Sequence, residues 1–154
     1  MKTIAIGALI IGLISCSSDR GDQEARVRAV VADFYRNFGE GFIKPADYAT
    51  EDWNHISPYG GRDQGREATM KDVRAVHQSF LKGTTDTVEQ MDVRFASGDV
   101  AIATVISAMS PFTDPGGGKH GTERHIRTFV VVKRGERWRI MQDHNTTIVN
   151  PVNP

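Results

Sequence analysis

The spacing of apolar residues changes once along this chain, and that change does most to limit what it can fold into. Val27, Val30, Val31, Phe34, Tyr35 and Phe38 recur at steps of three and four, which puts them on one stripe of a helix. Gly39 and Gly41 close it. Residues 45–50 read as a short second helix, residues 53–57 as a brief strand and Pro58-Tyr59-Gly60-Gly61 as a turn. A third helix is predicted from Gly65 to about Lys82, with Val73, Val76, His77, Phe80 and Leu81 on one face.

From residue 87 the step becomes two. Met91, Val93 and Phe95 share one side of a strand that turns at Ser97-Gly98-Asp99. Residues 100–109 are apolar or small on both faces, the pattern of a strand covered on both sides. In a chain of 154 residues one cover is expected to be a second subunit. Residues 111–120, containing DPGGGKHG, read as a flexible loop. Residues 122–133 and 137–149 form a last hairpin around Gly135. Helices first and long strands after make an α+β domain. The expected packing is a cone, a curved antiparallel sheet wrapped over the N-terminal helices with its mouth open. One domain is expected over residues 24–149, followed by an irregular tail at 150–154.

Charge excludes some functions. Lys plus Arg and Asp plus Glu are 19 each, so the chain has no nucleic-acid footprint. The basic cluster Lys133, Arg134, Arg137 and Arg139 flanks Gly135 and reads as a solvated turn.

The N-terminus carries its own signal. Met1-Lys2-Thr3 is followed by an almost unbroken apolar run to Ile14, too short for a membrane span of ~20 residues and suited to a signal-peptide core. It ends in Leu13-Ile14-Ser15-Cys16, around the only cysteine. That motif resembles the lipobox of bacterial lipoproteins. The resemblance implies cleavage after residue 15, acylation of Cys16 and a polar tether over residues 16–23. The domain is then expected on the periplasmic side of a bacterial envelope, at the outer membrane if the host has one, held by the lipid anchor alone. An ordinary cleaved signal peptide is the alternative.

Local motifs add a family. SPYGGRDQGREA (57–68), VHQSFLKG (76–83), RTFVVVK (127–133) and ERWRIMQDHNTT (136–147), in this order, resemble the nuclear-transport-factor-like, or SnoaL-like, superfamily, and within it the SgcJ/EcaC-type branch. The resemblance implies a cone with a pocket and a homodimer through the sheet. It does not imply one activity. Ketosteroid isomerases of this superfamily place a basic aspartate before a Pro-x-Gly turn and a tyrosine on the first helix. Ser57 and Phe34 occupy those positions here, with Tyr35 one step off. Serine is no base near neutral pH, and phenylalanine cannot donate to an enolate.

The candidate site residues follow from faces. If Ser57 looks into the pocket, alternation sends His55 and Trp53 the same way, with Tyr59 in the adjoining turn. His77 is either a core histidine or, as in related oligomerisation hubs, a pocket histidine. In the last hairpin, Lys133 opposite Trp138 places His144 opposite Arg127 and Thr146 opposite His125. Trp138, Ile140, Gln142 and His144 then look inward, and Arg127 beside His144 suits a carboxylate. Two alternatives stay open. Arg127 could pair with Asp143 or Glu123 and merely brace the sheet. One extra residue would flip the strand and turn Met141, Asp143 and Asn145 inward.

Together these point to a membrane-tethered domain that binds a small acidic or aromatic molecule, with no cofactor or metal. The alternatives are an enzyme using His144 or His55 as general acid/base, of isomerase, lyase or hydrolase type, and a dimeric interaction module.

Overall fold

The change of period falls where the helical part of the fold gives way to a continuous sheet. The computed structural model describes residues 12–149, with side chains from Asp19 onward. The apolar leader to residue 11, the Cys16 side chain and the tail at 150–154 lie outside the described residues. Helix α1 (Gly12–Gly39) leads to β1 (Ala49–Ile56), β2 (Arg62–Gln64) and helix α2 (Arg66–Gln78). Then come β3 (Asp86–Ser97), β4 (Val100–Met109), β5 (Phe112–Thr113), β6 (Lys119–His120), β7 (Glu123–Arg134) and β8 (Arg137–Thr147). The fold is the α+β cone. No described helix is long and apolar enough to cross a membrane.

The stripe on α1 is the hub of the core. Val27, Val31, Phe34 and Phe38 are buried, and the Phe34 ring meets Tyr35, Phe42, Tyr48, Trp53 and Phe129 edge-on at 5.2–6.3 Å. Such pairs add about 0.5–1.5 kcal/mol each beyond the area they bury. The helix also runs back through residues 17–23, which the sequence reads as a tether. Its Gln23 accepts from Trp138 Nε1 at 2.8 Å, and Arg20 lies over the Phe95 ring.

Several expectations are corrected. Residues 45–48 form turns rather than a second helix. The Ala49 amide donates to Ala46 at 2.9 Å and Ala49 already opens β1. Helix α2 ends at Gln78, where the Ser79 and Leu81 amides both turn back to Val76. Residues 111–120 hold a small hairpin, β5 against β6. The sheet, ordered β2-β1-β8-β7-β4-β3, is mixed rather than antiparallel, because β1 and β8 run parallel. Everything from β2 to β7 separates that pair in sequence, and β8 returns beside β1 in the same direction. On β4 the inner residues Ala101, Ala103, Val105, Ser107 and Met109 are buried, whereas the outer ones are half-buried in the single chain.

The correction that matters most is inside the last hairpin. Lys133 does face Trp138, as expected. The ladder then slips: Val131 pairs with Ile140 but Val130 pairs with Gln142. Met141 is the extra residue, a β-bulge that exchanges the two faces of the strand. Trp138 and Ile140 point inward before it, and Asp143 and Asn145 point inward after it. Each of the two registers read from the sequence is therefore right for half of β8.

Candidate functional site

The bulge delivers a carboxylate to the middle of the cone. Asp143 is fully buried. It accepts from Trp53 Nε1 at 2.8 Å, from Arg127 Nη1 at 2.9 Å and from His55 Nδ1 at 2.9 Å. Burial by itself would raise its pKa. The His55 hydrogen bond and charge, the Arg127 charge and the Trp53 hydrogen bond outweigh burial and hold the carboxyl below its ordinary range. Arg127 is buried too, and its guanidinium stacks on Phe34 at 4.8 Å. A carboxylate only accepts, so His55 carries its hydrogen on Nδ1. Among the described residues, Nε2 has no partner and is left to the cavity.

That cavity, of about 280 Å³, opens between the concave sheet, α1 and α2. Phe38, Phe42, Val73, Val76, Phe80, Leu81 and Phe112 make its apolar wall, and His55, His77, His125 and Arg127 its polar one. Ser57 and Tyr59 line the mouth with Asp63 and Asp72. Phe42 holds a positive φ of 55 between Phe34, Phe38 and His77, a strained conformation that surrounding packing enforces.

Of the residues expected at the site, His55, Ser57, Tyr59, His77, His125 and Arg127 are thus brought to one cavity. Three others are not. His144 sits after the bulge, is exposed, and pairs with Thr128 rather than Arg127. Gln142 bonds Asn54 at 3.1 Å away from the cavity. Trp53 is fully buried behind the wall, where it holds Asp143. Likewise, Thr146 faces Ile126 and not His125. The Arg127 guanidinium is engaged by Asp143, so the sheet-bracing pair is the one that forms and Arg127 does not wait free for a carboxylate. The sequence analysis missed Asp143 as the centre, together with Asp63 and Asp72. Asp63 lies opposite His55 in the β1–β2 ladder. Its pKa is raised by burial and then by Asp72, whose carboxyl shares a hydrogen bond with it.

His77 is buried, edge-on to Phe38 at 4.4 Å and to Phe42 at 5.0 Å. Burial, with the Arg127 charge, pushes its pKa down to about 4. Among the described residues no group of three His, Cys, Asp or Glu side chains is placed to hold a metal ion.

The β5–β6 hairpin borders the cavity through Phe112. Phe112 walls the cavity from β5, and His120 from β6 stacks on it, parallel to 4° at 4.3 Å. His120 Nδ1 donates to Glu123 at 2.7 Å and Nε2 to Asp114 at 3.0 Å. Both ring nitrogens facing carboxylates means an imidazolium. A side chain at Gly118 would meet Asp114 Oδ2 at 2.5 Å and would have to displace the carboxylate that His120 holds. The two carboxylates raise the His120 pKa, led by the Asp114 bond, and His120 lowers that of Asp114. A raised histidine pKa gives a contact complete below the ordinary value of about 6.5 and lost as pH rises through the raised one. The lowered Asp114 value sets the acid limit, the contact being lost as pH falls through it. Amide protection factors over residues 112–120 should therefore be high inside that window and fall on its alkaline side. His120→Gln should make them low throughout. Equal protection on both sides of the alkaline limit would show that the hairpin holds without the imidazolium.

With the geometry described, comparison gives the family. The sequence matches the family model described as SnoaL-like domain over residues 27–149. The chain belongs to the SnoaL-like domain family. No curated protein matches it. This SnoaL-like chain is similar to an uncharacterised protein with a cystatin-like fold from Caulobacter vibrioides, at 19% identity and a TM-score of 0.78, over 83% of this chain and 90% of that one. It is also similar to an NTF2-like protein with a cystatin-like fold from Novosphingobium aromaticivorans, at 15% identity and TM-score 0.75, over 95% of each chain. A ketosteroid isomerase-like protein from Erwinia carotovora atroseptica gives 16% identity and TM-score 0.67, over 82% of this chain and 96% of that one. Identities this low establish the shared SnoaL-like cone; activity must be argued from the site.

Proposed function

We propose that the cone binds a small uncharged molecule and that His55 exchanges a proton with it. The observation that carries this is the His55–Asp143 pair, with Nδ1 held by a buried carboxylate and Nε2 turned to an apolar cavity. A positioned histidine is suited to general acid/base work near neutral pH. Because Asp143 already neutralises Arg127, and Asp63 and Asp72 stand at the mouth, the cavity favours a neutral guest over an acid. The reaction class is proton abstraction beside a carbonyl, as in an isomerase or lyase. His55 stands two residues before Ser57 on the same strand face, so the base lies deeper than in the ketosteroid isomerases.

The test is solvent exchange. In D₂O the protein should speed deuteration of the acetophenone methyl group, with His55 Nε2 taking the proton and solvent returning a deuteron. His55→Gln should lower the rate ~10²–10⁴-fold while acetophenone still binds by calorimetry. Binding with no exchange above buffer in the wild type would leave a ligand-binding domain without catalysis.

The finer placement is proposed with it. The four motifs support the SgcJ/EcaC-type branch, the Leu-Ile-Ser-Cys sequence supports an acylated Cys16 on the periplasmic side of a bacterial envelope, and the half-buried outer residues of β4 support a homodimer. The mass of the N-terminal peptide and the sedimentation coefficient of the soluble fragment decide the last two.

A further inference from the structure

The polar groups at the other end of the cavity are not accounted for by proton transfer at His55. Among the described residues, His125 on β7, which lines the cavity and is 2% exposed, has no hydrogen-bond partner on either ring nitrogen. Glu123 Oε2 is 3.4 Å from its Nε2, outside bonding geometry, and has no partner among them either. The same holds for the buried hydroxyl of Ser107, directly opposite His125 in the β4–β7 ladder. It holds too for the Tyr35 hydroxyl from α1 and both carboxylate oxygens of Asp86 from β3. The Asp86 charge acts on His125 and on Tyr35, and Ser107 lies beside Tyr35, so these groups form one cluster. Native proteins leave few buried polar groups unpaired, because each forfeits the hydrogen bonds it makes with water in the unfolded chain. Here they gather behind one residue that faces the cavity.

The cluster is remote from His55. β8 lies between β1 and β7, so two strand spacings, ~10 Å, separate the backbones that carry the two histidines. Burial lowers the His125 pKa, opposed by Asp86 and helped by Arg127. The imidazole is neutral and offers one donor and one acceptor. The two nitrogens point apart, so a hydroxyl, able to donate or accept, meets whichever one faces the cavity.

We infer that the cavity recognises a two-ended neutral molecule, with a carbonyl end at His55 and a hydroxyl end at His125. This rests on the function proposed above and adds the second polar end. His125 determines specificity; His55 acts on the bond that breaks.

Three probes separate the two readings: acetophenone, 4-methylacetophenone and 4-hydroxyacetophenone. Methyl and hydroxyl are nearly the same size, so their comparison isolates the hydrogen bond. Calorimetry on the wild type should give a Kd for the hydroxy compound at least about tenfold below that for the methyl compound, equivalent to about 1.4 kcal/mol. In His125→Phe the gap should close. Equal or tighter binding of the methyl compound by the wild type overturns the second polar end, and that comparison needs no variant to fold. If none of the three binds or exchanges, the proposed function fails first. If acetophenone exchanges but the hydroxyl adds nothing, only the present inference fails.

Discussion

Asp143→Asn is expected to lower the unfolding free energy by about 3–5 kcal/mol, the range for breaking a buried ion pair from one side. The substitution keeps the shape of the side chain and removes its charge. It leaves the Arg127 guanidinium, 4% exposed, in an aromatic setting with no counter-charge. The new amide also presents hydrogens where Trp53 Nε1, Arg127 and His55 all donate. The midpoint of urea unfolding, at constant slope, measures the loss. The double variant Asp143→Leu with Arg127→Met should recover much of it, since replacing a whole buried pair by apolar groups is often nearly neutral. A loss under ~1 kcal/mol for Asp143→Asn would mean that water in the cavity solvates Arg127 and that the ion pair is not what holds the wall.

Acid should weaken the fold through His77 before it reaches Asp143. With its pKa pushed down to about 4, His77 resists protonation in the folded state but not in the unfolded one. Its contribution is complete above the ordinary histidine value of about 6.5 and is lost as pH falls through about 4. The full shift discounted for water at the cavity is on the order of 2 kcal/mol. Asp143, held below the ordinary carboxylate value, acts in the opposite chemical sense but the same direction of pH, and only below about 3.8. The two windows separate. In His77→Phe, whose ring keeps the edge contacts with Phe38 and Phe42, the decline from pH 6.5 to 4 should be smaller than in the wild type by about 2 kcal/mol, the remaining slope coming from buried His125, whose pKa is also lowered. A parallel decline in the variant would assign the slope to another group.

The parts that could be read from residue order are those set by local period. The α1 stripe, the alternation that turns Trp53, His55 and Ser57 to one side, and the turns at Ser97–Asp99 and Gly135 all follow from it. The site followed only in part. Trp53 faces inward but is covered by other core residues, and burial depth depends on neighbours from distant strands. Residues 45–48 lost their helix to the demand of the β1 start. The bulge at Met141 carries no glycine or proline to mark it, so the exchange of faces was invisible, and with it the central place of Asp143. The alternative register contained the right residue for a reason that local sequence could not supply.

The bulge has a consequence for how such pockets diversify. Past Met141 the last strand stores two interleaved sets of polar side chains, Asp143 and Asn145 within, Gln142, His144 and Thr146 without. Pairing the strand without the bulge, with Met141 kept, would shift residues 142–147 by one against β7 and reverse the sets, withdrawing the carboxylate and presenting Gln142 and His144 to the interior. Deleting Met141 would instead leave Asp143 opposite Phe129 and the sets as they are. A family member can thus trade one interior chemistry for another by gaining or losing a bulge rather than by a series of point changes, and comparisons that score substitutions alone would miss the exchange.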